Sequence, residues 1–123
     1  MKREIKFRVF STVFSEDKMY YDVEMQIKED GVWWMFGERT RIFQVSSEQC
    51  SLMQFTGLKD KNGKEIWEGD IIDHANGLGV VIFKDGRFYY EPTPKLASQY
   101  IVGALYWDTV IGNIYENPEL LTN

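Results

Sequence analysis

The sequence predicts a single, mainly β domain, and three features carry that reading. Apolar residues alternate with charged ones at period two in several short segments. Asn-Gly and Asp-Gly pairs punctuate those segments at tight-turn spacing. Aromatic residues make up 15% of the chain, and they cluster with β-branched residues in strand-length runs.

Ile5, Phe7 and Val9 alternate with Lys6 and Arg8, which predicts a strand with one core face and one cationic face. After a polar connection from Ser11 to Lys18, the alternation returns. Tyr21, Val23, Met25 and Ile27 are set against Asp22, Glu24, Gln26 and Lys28, again predicting one buried row. Glu29-Asp30-Gly31 then reads as a hairpin turn into Val32-Trp33-Trp34-Met35-Phe36. From Gly37 to Ser51 the pattern weakens to Ile42, Phe43 and Val45, enough for one short strand. Asn62-Gly63 predicts a type I′ hairpin tip, with both residues at positive φ. A second two-residue turn at Asp85-Gly86 joins Val80–Phe83 to Phe88–Tyr90.

Glu91-Pro92-Thr93-Pro94-Lys95 must be a loop or an edge, because each proline removes a ladder donor. The stretch from Leu96 to Trp107 mixes helix and strand formers, and Tyr100, Ile101 and Val102 tip it towards strand. Val110–Tyr115 closes the strand set. Asn117 followed by Pro118 then predicts the cap and first position of a short C-terminal helix lying over an open end of the sheet. No repeat, low-complexity segment or linker interrupts the chain. The expected organisation is one domain over 1–123, with approximate subdomains at 1–51 and 52–123.

At 123 residues with 44% hydrophobic composition, the chain is long and apolar enough to bury a core without staples. Cys50 is the only cysteine, so no intrachain disulfide or multi-cysteine metal site can form, which suits a reducing cytoplasm. The charged start Met1–Arg8 does not resemble a secretory signal. The longest apolar run, Leu78 to Phe83, falls far short of the roughly 20 residues that cross a bilayer. No membrane association is expected. A net charge of −5 argues against tight non-specific DNA binding unless a local basic patch overrides the total.

The stretch Leu52-Met53-Gln54-Phe55-Thr56-Gly57-Leu58-Lys59-Asp60-Lys61-Asn62-Gly63-Lys64-Glu65-Ile66-Trp67-Glu68-Gly69-Asp70-Ile71-Ile72 resembles the signature of the YopX family of phage and prophage proteins. The opening Arg3-Glu4-Ile5-Lys6-Phe7-Arg8 and the ending Ile111 to Leu121 agree with it. The resemblance implies a β-rich N-terminal part and an SH3-like small barrel in the C-terminal half, in a protein without an established biochemical activity. Glycines at Gly57, Gly69, Gly79 and Gly103 suit the tight bends of a small barrel. Between Ser11 and Ser51 the resemblance is only a general β pattern, so specificity is sought there. Fold alone does not supply function.

No catalytic motif is present. Glu68, Asp70, Asp73 and His74 are the one carboxylate–imidazole cluster, but Asp73 and His74 point to opposite faces of a strand. Glu68-Gly69-Asp70 reads better as a turn whose aspartate accepts nearby backbone amides. Cys50 has no histidine near it in sequence. Ser46, Ser47 and Ser51 lack a nucleophile elbow, and Gly77-Leu78-Gly79 lacks the third glycine and the helix of a phosphate cradle. A non-enzymatic chain with no cofactor and no metal is the expectation.

Binding features are richer. Lys2, Lys6 and Arg8 share one strand face, which Arg39, Arg41, Lys84 and Arg87 could extend into a phosphate-contacting patch. Of Trp33 and Trp34, one must point outward from a strand, to fill a partner's pocket or stack on bases. The leading expectation is a phage or prophage accessory protein that binds a protein partner, or a second copy of itself, through surface aromatics and a sheet edge. The alternative is a nucleic-acid-binding module using Lys2, Lys6 and Arg8. A hydrolase built on Asp70, Asp73 and His74 stands third.

Overall fold

The computed structural model describes residues 4–11, 18–21, 23–38, 41–46, 50–74, 77–93, 100–101 and 108–122. It is mostly β, with a 3-10 turn near its C-terminal end. The chain divides into two compact units, one comprising Ile5–Gln54 and the other Phe55–Asn123 with Met1–Glu4.

In the Ile5–Gln54 unit, β1 (Phe7–Ser11) pairs antiparallel with β2 (Lys18–Tyr20) and with the start of β6 (Ser51–Lys59). A separate meander runs β3 (Glu24–Lys28), β4 (Gly31–Glu38), β5 (Arg41–Ser46). The hairpin at Glu29-Asp30 forms as the sequence suggests, with Lys28 opposite Gly31. The short strand sought between Gly37 and Ser51 is β5. The core is centred on Val9 and Trp34, with Phe7, Tyr20, Val23, Val32, Cys50 and Leu52 packed round them. The rings of Phe7 and Trp34 sit tilted, 5.5 Å apart.

One expectation about this unit is overturned. The row Tyr21, Met25 and Ile27 was expected to face the core, yet all three are exposed, Ile27 at 79%. The reason is topological: among the described residues β3 lies at the end of its sheet, and of that row Val23 alone packs on the Val9–Trp34 cluster.

In the other unit, the end of β6 pairs with β7 (Glu65–Trp67). An antiparallel five-stranded sheet follows, made from β8 (Asp70–His74), β9 (Gly77–Lys84), β10 (Arg87–Thr93), β11 (Tyr100–Ile101) and β12 (Thr109–Asn113). Its order is β11-β10-β9-β8-β12. The sheet curls into a half-barrel, and the register slips between Val110 and Gly112 as at a bulge that bends a strand. Ile66, Ile72, Val81, Tyr90 and Val110 fill its core, with Phe88 against them. Gly79 is required by packing, since a Cβ there would overlap the Tyr90 ring.

Asp85 and Gly86 both have positive φ, at 51° and 77°, as a type I′ turn requires. Asn62-Gly63 does not follow suit. Gly63 has φ of 83° but Asn62 stays outside the left-handed region, so the expected type I′ tip is replaced by a longer loop. In that loop the Asp60 N–H donates to the Lys64 carbonyl at 2.8 Å and the Gly63 N–H to the Asp60 carbonyl at 3.0 Å. The Asp60 carboxylate makes this geometry, as described below. Pro92 sits within β10 opposite Gly79. β11 pairs only with Tyr89 and Tyr90, so β10 is an edge at Pro92 among the described residues. Of the ambiguous stretch from Leu96 to Trp107, Tyr100–Ile101 is strand and the rest, Gly103 included, lies outside the described residues.

The C-terminal helix is the 3-10 turn Pro118–Leu121, in which no residue is fully buried. Asn117 makes no side-chain cap bond to it. Instead its Oδ1 accepts the Asn113 N–H at 3.1 Å, turning the side chain back towards β12.

Candidate interaction surface

The cationic face expected on β1 is not continuous. Arg8 is only 2% exposed, and its guanidinium donates to the Tyr21 hydroxyl at 3.3 Å and lies 5.8 Å from that ring. β1 runs between two ladder partners and buries Arg8, Val9 and Ser11 alike, so the simple in–out alternation fails there. Ile5, assigned to the core face, is exposed. Lys6 is half-buried. Lys2 and Arg39 lie outside the described residues. Arg41 is placed by its backbone opposite Glu38, and its side chain is also outside them. Lys84 and Arg87 are exposed, opposite each other across the Asp85-Gly86 turn in the half-barrel unit.

The two tryptophans divide as a strand demands. Trp34 is buried in the core, whereas Trp33 is half-buried on the opposite face of β4. Trp33 is held locally: its indole N–H donates to the Asp30 carboxylate at 2.9 Å, and the Lys28 ammonium lies 5.4 Å from its ring. Neither tryptophan projects freely into solvent.

The family-like stretch from Leu52 to Ile72 is filled with internal polar work. Thr56 Oγ1 donates to the Ile66 carbonyl at 2.6 Å and accepts the Leu58 N–H at 3.1 Å, bracing the register slip between Phe55 and Lys59. Asp60, 6% exposed, accepts three amides: Asn62 at 2.8 Å and Lys64 at 2.9 Å on Oδ1, and Val110 at 3.0 Å on Oδ2. Burial pushes this carboxyl up, but the amides of Val110, Lys64 and Asn62 and the Lys64 ammonium together outweigh it and hold the pKa below the ordinary value. Asp70, also buried, accepts the Trp67 N–H at 2.7 Å, as its turn position suggests. Gly69 donates to the Val81 carbonyl at 2.8 Å and accepts the Ile114 N–H at 2.9 Å.

Among the described residues the other chemical candidates are not brought together. Asp70 is engaged by backbone, Asp73 is exposed, and the His74 side chain lies outside the described residues. Among the described residues no group of three or more His, Cys, Asp and Glu is placed to hold a metal. Cys50 packs on the Val9–Trp34 cluster, and burial pushes its thiol pKa up, which lowers the thiolate fraction. Gly77-Leu78-Gly79 lies within β9, not in a loop before a helix.

What the sequence did not flag is the edge of β3. Met25 and Ile27 stand opposite Trp34 and Val32 of β4, hence on the same face as the core. They continue that apolar face onto a strand where exposure is 54% and 79%. Tyr21, 47% exposed, precedes this strand and meets Arg8 of β1. The period-two pattern gave no warning, since it reads identically for a covered and an open row.

Residues 6–122 match the family described as YopX protein. The chain belongs to the YopX family. Two solved structures are similar over nearly their whole lengths. Protein EF1440 from Enterococcus faecalis is 29% identical with a TM-score of 0.65, covering 98% of this chain and 99% of its own. Protein yopX from Bacillus subtilis is 25% identical with a TM-score of 0.63, covering 96% of each. No curated protein matches the chain. In this YopX chain the Leu52–Ile72 stretch builds the fold, and no helix among its described residues is long and apolar enough to cross a membrane.

Proposed function

We propose that this YopX-family chain is a non-enzymatic accessory protein of phage or prophage origin, acting in the host cytoplasm, that binds a protein partner through the open edge of β3. The observation that carries the reading is the exposed pair Met25 and Ile27 on β3, the terminal strand of its sheet among the described residues. An edge strand offers unpaired amides and carbonyls to a further strand, and apolar side chains beside them supply the burial that makes such pairing stable. The half-barrel, of SH3-like kind in this reading, is the scaffold. Asp60 and Asp70 of its signature stretch serve the backbone. Burial of Arg8 and a net charge of −5 weigh against the nucleic-acid alternative.

The test is affinity capture from phage-infected or prophage-induced cells, run side by side with the wild-type chain and a Met25→Lys/Ile27→Lys variant. A stoichiometric protein retained by the first and lost by the second is the expected result. Equal capture by both, or capture of nucleic acid that elutes with salt, overturns the proposal.

A further inference from the structure

The sequence of β3 is self-complementary. Read outward from Gln26, Met25 is matched by Ile27, and Glu24 by Lys28. In an antiparallel pair with a two-fold axis at Gln26, Glu24 lies opposite Lys28 of a second copy, Met25 opposite Ile27, and each relation occurs twice. Opposite charges directly across a ladder stabilise it and like charges destabilise it, so this strand favours its own image in one register. Glu24 and Lys28 are both exposed at the two ends of β3, and the exposed Met25 and Ile27 lie between them.

From this we infer that β3 pairs with β3 of a second copy of the chain, joining two three-stranded meanders into one continuous six-stranded sheet. The inference rests on the edge-binding reading above and names its partner. Symmetry supports the choice, because a two-fold interface must be complementary to itself. On one face, Met25 and Ile27 of each copy cover those of the other, extending the apolar row that begins at Trp34. On the opposite face, Glu24 and Lys28 form the two cross-axis ion pairs, with Gln26 between them. β3 has no proline and no charged residue at its centre, the devices by which edge strands commonly avoid such pairing. With five residues a side the interface is small, so a reversible, concentration-dependent dimer is expected.

Sedimentation velocity on the full chain over a wide concentration range tests this. The wild type should move from monomer to twice that mass as concentration rises. Glu24→Lys alone and Lys28→Glu alone each place like charges across the axis twice, and each should weaken association about tenfold. The Glu24→Lys/Lys28→Glu double variant restores opposite signs and should return association to the wild-type range. A foreign partner at this edge would not be rescued by that exchange. In a Cys50→Ser background, Gln26→Cys should yield a disulfide-linked dimer on mild oxidation. A chain that stays monomeric at every concentration, a dimer indifferent to both single reversals, or single reversals that the double does not rescue would each overturn the inference. Should the chain be monomeric while Met25→Lys/Ile27→Lys still loses a captured protein, self-pairing fails and the edge-binding reading stands.

Discussion

The two units use their polar residues in different ways. In Phe55–Asn123, buried Asp60, Asp70 and Asn113 are turned inward to accept backbone amides. Asn113 Oδ1 takes the Tyr115 and Glu116 N–H groups at 3.0 and 2.8 Å. In Ile5–Gln54, the core is aromatic packing round Trp34, and polar side chains there bond to other side chains, as Arg8 does to Tyr21 and Trp33 to Asp30. The first unit is a fold held by specific staples, and the second is a packed cluster with an uncovered rim. Buried polar groups already engaged by backbone cannot contact a partner, whereas an apolar rim gains by being covered. That contrast is the reason for seeking function on β3.

The comparison predicts different sensitivities, and the largest falls on the aromatic unit. Trp34→Ala removes its biggest buried side chain and should cost about 3–5 kcal/mol in denaturant unfolding. If the loss were under 1 kcal/mol, packing round Trp34 would not be what holds this unit together.

In the stapled unit the corresponding change is Asp60→Ala. Three amides lose their acceptor in a site that is 6% exposed, and a cost on the order of 3 kcal/mol is expected. The same carboxylate makes stability depend on pH. Its folded pKa lies below the ordinary value of about 3.9, so its contribution is present above that value and is lost as pH falls through the folded pKa. Unfolding midpoints compared at neutral and acid pH should fall less in Asp60→Asn than in the wild type. An unchanged acid dependence would remove Asp60 as the staple.

Gly79→Ala should be milder, about 1–3 kcal/mol, because the new methyl group must displace the Tyr90 ring within the half-barrel core. A thermal midpoint equal to the wild type's would mean that this core yields more readily than the staples suggest.

These positions also mark how far the sequence could be read. Strand and turn chemistry is local, so β3–β4, the Asp85-Gly86 turn and the inward role of Asp70 followed directly from residue type and spacing. The Asn62-Gly63 turn was misread because its geometry is imposed by Asp60, whose third amide comes from Val110, fifty positions away. Asn117 was misread as a helix cap for a related reason. The Asn113 amide captures its side-chain oxygen, and Gly112 leaves room for it, since a Cβ there would come within 2.6 Å of that oxygen. Arg8 and the Tyr21–Ile27 row failed for the converse reason. Alternation tells which residues share a face, but not whether another strand covers it, and Lys6-Phe7-Arg8 and Gln26-Ile27-Lys28 are alike on that score.

The smallest stability change should accompany the largest change in association. Met25 and Ile27 are 54% and 79% exposed, so replacing both with lysine removes little buried area from the folded monomer. The unfolding midpoint of Met25→Lys/Ile27→Lys should stay within about 0.5 kcal/mol of the wild type in dilute solution, where no dimer contributes. At high concentration the wild type should gain stability as it pairs, while the variant should not. A double variant that unfolds markedly more easily when dilute would place these side chains in the monomer's own core. The contrast between a stapled unit and a rimmed one would then be lost.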